Sequence, residues 1–232
     1  CGDKYIISVS YYDATNVHYM LMSKDFSDVQ LQMQWQDGAV GHSLNSLLRI
    51  AFAQAVIFNE GVSIHGSTVM LDGGAYLFLG ASGTGKSTHS SLWRQTFDGC
   101  ELLNDDNPTI RIVGDSVKIY GTPWSGKSNL NLNKKVKLGG ICFISRGSKN
   151  EISRVEPSWS IPHFLKQTIR PKDKSRASLL LDCLDRLIQN APVFSMKCTP
   201  DQEAAALHTK PCQKENNHEN SRRIFIENSC GK

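Results

Sequence analysis

At 232 residues, with 40% hydrophobic and 21% charged content, the chain has the balance of a soluble globule large enough for one substantial core. A formal charge of +4 is too small to argue for nucleic acid or a membrane surface as partner. The longest apolar-rich stretch, Ile50 to Phe58, is far short of a bilayer span.

The seven cysteines are scattered, with no Cys-x-x-Cys pair and no Cys/His metal spacing, as expected of a reducing, cytosolic setting. Cys142, Cys183 and Cys198 lie in apolar surroundings and read as buried small hydrophobes, whereas Cys1, Cys212 and Cys230 lie in polar ends.

The first forty residues read as short strands at Tyr5–Ser10, Val17–Met22 and Val29–Trp35, a β-rich segment (1–40) packing on a larger domain. From Ser43 to Asn59 apolar positions fall at Leu44, Leu47, Leu48, Ala51, Phe52, Ala55 and Phe58, which is helical spacing. Val62–Leu71 reads as one strand, and Asp72-Gly73-Gly74 as a tight turn into a second, Ala75–Leu79.

That strand runs into Gly80-Ala81-Ser82-Gly83-Thr84-Gly85-Lys86-Ser87, the G-x-x-x-x-G-K-[ST] phosphate-binding pattern, and a helix can follow from Lys86 through Thr88 to Arg94. Glycines let the backbone turn several N–H groups towards a phosphate chain at the positive end of a helix. Lys86 would reach the β- and γ-phosphates, and the Ser87 hydroxyl would ligate Mg²⁺. A nucleoside triphosphate is therefore the expected ligand.

Glu101–Asp106 follows as an apolar step ending in two acids. One carboxylate can hold Mg²⁺ and the other accept a proton from an attacking hydroxyl, and mutual repulsion can raise one pKa. Thr109–Val113 and Val117–Tyr120 form a hairpin, and Gly140–Ser145 is an apolar strand with Ile152–Val155 as its expected partner. Helical pattern begins near Ser160, and Leu179, Leu180, Leu181, Leu184, Leu187 and Ile188 mark a long amphipathic helix.

Pro192–Met196 reads as a last strand and Pro200–Leu207 as a last helix; the residues from 210 to 232 form a polar tail. Hairpins beside a βα unit predict an α/β fold with a mixed sheet over 41–209. Arg146 and Arg170 could each supply a cation to a transferring phosphoryl group, Lys127 could contact substrate, and Trp124 reads as a packed loop aromatic.

His65-Gly66 fifteen residues before Gly80, then the Gly80–Ser87 loop, then Asp105-Asp106-Asn107, resembles the HPr kinase/phosphorylase catalytic domain. That fold is similar to the nucleotide-binding part of ATP-dependent phosphoenolpyruvate carboxykinase. The likeness covers about residues 62–113, and the segments Tyr120–Gly126 and Arg146–Asn150 have counterparts in the smaller HPr kinase-like proteins.

The resemblance implies Asp105 as general base with His65 beside it, Lys86 on phosphate, and Ser87 and Asp106 serving Mg²⁺. It implies ATP as donor and a hydroxyl acceptor on a peptide, small protein or small molecule. Members of the family form oligomers, which leaves a homo-oligomer open here. The chain has no Glu-x-Arg-Gly-x-Gly stretch after the acids, so HPr itself is not implied as acceptor. A nucleotide-binding accessory or switch protein with little or no phosphotransfer stands as the alternative.

Overall fold

A computed structural model of the chain describes residues 4–10 and 16–207. The tail at 210–232 and Cys1, Cys212 and Cys230 lie outside the described residues. The fold is mixed α/β, with a small antiparallel sheet set beside a large, curled mixed one.

The small sheet joins β1 (Lys4–Val9), β2 (His18–Ser23) and β3 (Val29–Gln32) in chain order. Its Met20 and Met22 pack against Leu47 of α1 (Val40–Ala55). His18 is fully buried there: Nε2 donates to Asp37 Oδ2 at 2.7 Å and Nδ1 accepts from the Gln34 amide at 3.2 Å. The helix expected over Ser43–Asn59 starts three residues earlier and ends in a tighter 3₁₀ turn, Val56–Asn59.

The large sheet runs β4 (Gly61–Ser63), β8 (Thr109–Val113), β9 (Ser116–Tyr120), β10 (Lys135–Arg146), β6 (Gly74–Leu79), β5 (Gly66–Leu71) and β7 (Glu101–Asp106). On β6, Ala75, Leu77 and Leu79 enter the core on one face, and Tyr76 and Phe78 enter the core on the other. A strand covered on both faces must be apolar throughout, which is why this segment shows no alternation. α2 (Lys86–Thr96) covers one face through Trp93. α3 (Pro157–Leu165) and α4 (Lys174–Asn190) cover the other.

Other sequence expectations change in the large sheet and on α4. The single strand over Val62–Leu71 is broken at Ile64-His65: β4 pairs with β8, and β5 turns away to pair with β6 and β7. β11 (Glu151–Arg154) does not pair with β10, because β12 (Val193–Cys198) lies between them, parallel to β10 and antiparallel to β11. The interior position needs the buried Val193, Phe194 and Met196, whereas Glu151–Arg154 is mostly exposed. On α4 the buried arc is Leu180, Cys183, Leu184 and Leu187, while Leu179 and Leu181 are 40% and 43% exposed. Neighbours of Leu180 in sequence are turned about 100° from it and fall off the apolar stripe.

Cys142 and Cys183 are buried as expected, Cys198 is half-buried, and with Cys100 they are free thiols. Among the described residues no helix is long and apolar enough to cross a membrane.

Candidate active site

β5 lies between β6 and β7 and runs antiparallel to both. Gly66 is in register with Leu79 on one side and Asp106 on the other, and Ser67 with Phe78 and Asp105. The loop leaving β6 and the acids ending β7 therefore open at the same end of the sheet. Only glycine fits at 66, because a Cβ there would sit 2.8 Å from the side chains of both Leu77 and Leu79. His65 occupies the break just before it.

The loop is built by backbone that L side chains resist: Gly80, Gly83 and Gly85 have φ of +151°, +78° and +104°. Lys86 opens α2 and is nearly buried; its ammonium donates to the carbonyls of Gly80 at 2.9 Å and Ala81 at 3.3 Å. Burial lowers the Lys86 pKa, against the opposing pull of the Asp106 and Asp105 charges. Ser87 and Thr88 are exposed on the first helical turn. Arg146, from the end of β10, donates to the Gly83 carbonyl at 2.6 Å and so reaches the loop from the other side.

Successive strand residues point to opposite faces, and the two acids consequently meet different neighbours. Asp105 accepts a hydrogen bond of 2.7 Å from Ser67, which in turn lies 2.6 Å from Ser90 of α2. Asp106 faces His65 Nδ1 at 3.2 Å, the Asn107 amide at 2.7 Å and Arg49 of α1 at 3.8 Å. Burial works to raise the Asp106 pKa, but hydrogen bonds from His65 and Asn107 and the charges of His65 and Arg49 prevail and hold it below the ordinary value. Asp106 is thus not the acid whose pKa repulsion would lift, and His65 is engaged with Asp106. Gly126 closes the wall behind both acids: its φ is +58°, and a Cβ there would lie 3.2 Å from the Asp105 carbonyl oxygen and from the Asp106 Cβ.

A cleft of about 660 Å³ brings together His65, Ser82, Gly83, Gly85, Lys86, Ser87, Thr88, Asp105 and Asp106. Gly80 and Ala81 serve through their carbonyls on Lys86. Thr84 faces a neighbouring cavity of about 380 Å³, whose wall also includes Thr88, His89, Leu92, Arg146 and Thr199. Arg146 lines the cleft, whereas Arg170 is not among its lining residues. Trp124 packs on Phe52 with ring centroids 5.1 Å apart, and the Lys127 side chain lies outside the described residues.

Sequence reasoning missed Ser67, Ser90 and Arg49. Ser67 follows His65 by two residues and its pairing opposite Asp105 needs the strand register; Arg49 comes from a helix with no local signal. Among the described residues no cluster of three or more His, Cys, Asp or Glu side chains could hold a metal alone. Mg²⁺, which usually takes one or two carboxylates together with phosphate oxygens and water, fits Asp106 and the Ser87 hydroxyl only alongside a bound phosphate chain.

No family model matches the sequence, and no curated protein matches it. Among solved structures, the Hpr(Ser) kinase/phosphatase from Coxiella burnetii aligns over 72% of this chain and 96% of its own, at 11% identity and a TM-score of 0.39. A match that distant leaves the chemistry to be read from the cleft.

Proposed function

We propose that the cleft binds Mg²⁺ and ATP and transfers the γ-phosphoryl group to a hydroxyl, on an HPr kinase-like core. The observation behind this reading is the convergence of a glycine-built loop, Lys86, Ser87 and two carboxylates on one space of about 660 Å³.

The amides of Gly83–Ser87 and the Lys86 ammonium would grip the phosphate chain, exchanging the loop carbonyls that Lys86 now holds for phosphate oxygens. Arg146 stands where its cation offsets charge on the phosphates. The smaller cavity, with Leu92, Thr88 and His89 on its wall, suits the nucleoside end of the same ligand. Mg²⁺ would supply charge neutralisation between Ser87 and Asp106. Asp105 would take the acceptor proton as the hydroxyl oxygen bonds to phosphorus and the bond to the bridging oxygen breaks, its electron pair leaving with ADP. A supply of ATP and the free thiols suit a cytosolic setting.

A second reading, a nucleotide-binding switch without transfer, draws on the Lys86 ammonium being bonded to its own loop. Calorimetric titration of the full chain with Mg²⁺ and ATP tests the binding: saturable binding is expected, and Lys86→Ala should weaken it by about tenfold or more. Absence of binding to the natural chain refutes both readings. ADP formation that rises only when hydroxyl acceptors are added separates the kinase from the switch.

A further inference from the structure

A cavity of about 560 Å³ adjoins the cleft on the far side of His65, sharing His65 and Ser82 with it. Its other polar walls include Arg49, Ser63, Asn107 and Lys166. We propose that this cavity is the acceptor subsite, and that the acceptor is a small hydroxyl compound bearing a carboxylate or phosphate. The inference rests on the phosphotransfer reading above.

The three cavities lie in a row. The smallest shares Gly85, Thr88 and Arg146 with the cleft, and the cleft shares Ser82 and His65 with the third. A nucleotide with its nucleoside in the first and its phosphates along the loop ends at the His65–Ser82 boundary. An acceptor hydroxyl would reach that terminus in the cleft, beside Asp105, and the third cavity adjoins it with room for the rest of the acceptor.

The charge of that space is one-signed. Arg49 and Lys166 line it, and no carboxylate does. Asp106 lies 3.8 Å from one terminal nitrogen of Arg49, whose side chain stays 35% exposed. Lys166 forms no ion pair among the described residues. A hollow lined by two cationic side chains and no carboxylate favours an anionic group.

The wall is also fixed in place. Residues 166–169 are tied to the strand break by the His65 amide donating to the Gln167 carbonyl at 2.8 Å and by the bridge between Ile64 and Thr168. The Gln54 amide donates to the Ile169 carbonyl at 2.9 Å. A neutral hydroxyl, such as that of a serine within an uncharged loop, would gain nothing from Arg49 and Lys166.

The test titrates the full chain with glycerate, glycerol 3-phosphate and glycerol, with and without a non-hydrolysable ATP analogue and Mg²⁺. The readouts are heat and the Arg49 Nε–H resonance. Both anions should saturate and glycerol should not, and whichever anion binds tighter identifies carboxylate or phosphate as the recognised group. Arg49→Met and Lys166→Met should each weaken the tighter anion by about tenfold, with Lys166→Met leaving nucleotide affinity within about twofold. Normal nucleotide binding with no anion saturation, or with anion affinity untouched in both variants, overturns the subsite. Failure of nucleotide binding alone, with the anions still bound at Arg49, would strike the phosphotransfer reading instead.

Discussion

Ser67 gives its only hydroxyl proton to Asp105 at 2.7 Å, so the 2.6 Å contact between Ser67 and Ser90 must have Ser90 as donor. The result is a relay from α2 through β5 to the carboxylate on β7, and it fixes which oxygen of Asp105 remains open to the cleft.

Ser67→Ala removes the orienting donor but leaves the carboxylate. Turnover should fall by about tenfold with nucleotide affinity within about twofold, whereas Asp105→Asn should lower turnover by about 10²–10⁴. Steady-state ADP formation with titrated ATP checks both. Equal effects of the two substitutions would mean that Asp105 acts only through its position.

His89 of α2 is buried, and burial pushes its imidazole down to about 4. Trp93 donates to its Nε2 at 3.2 Å, so protonating that nitrogen would also break a hydrogen bond. An unfolded histidine titrates near ~6.5. The stability from keeping His89 neutral is therefore full above ~6.5 and is lost as pH falls towards about 4, because the unfolded chain takes a proton that the folded chain refuses. Between pH 7 and pH 5 the natural chain should lose about 2 kcal/mol more than His89→Gln in urea unfolding. Equal losses would show that the ring titrates as in the unfolded chain.

Arg176 of α4 is 5% exposed and lies over two rings of the small sheet's side, 4.0 Å from the Tyr5 centroid and 4.8 Å from that of Phe26. Its stem packs as well as its charge. Arg176→Ala should cost about 2 kcal/mol and expose β1–β3 to limited proteolysis before the large sheet unfolds. Arg176→Lys should recover part of that protection. Unchanged cleavage in the alanine variant would mean that Met20, Met22 and Leu47 hold the sheet unaided.

The parts of the fold that were legible in sequence are those with local causes. The loop glycines, the apolar β6 and the Asp105-Asp106 end of β7 each follow from steric or burial demands within a few residues. What escaped depends on pairing at a distance. The break at Ile64-His65 arises because β4 and β5 answer to different neighbours, and β12 displaces β11 from β10 because interior positions select the more apolar strand. Arg49 reaches Asp106 from a helix more than fifty residues away in the chain, and Ser67 meets Asp105 only through register. The apolar stripe of α4 looks wider in sequence than it is, because leucine at 179 and 181 does not reveal which way the helix is turned.

The place of β5 between β6 and β7 has a metric consequence. Adjacent strands stand about 4.8 Å apart, so the backbones of β6 and β7 are held roughly 9.6 Å from one another by two rows of hydrogen bonds. That interval is a gauge built into the ladder itself. Side chains around the opening set what it admits, while the ladder sets the separation of its two jaws.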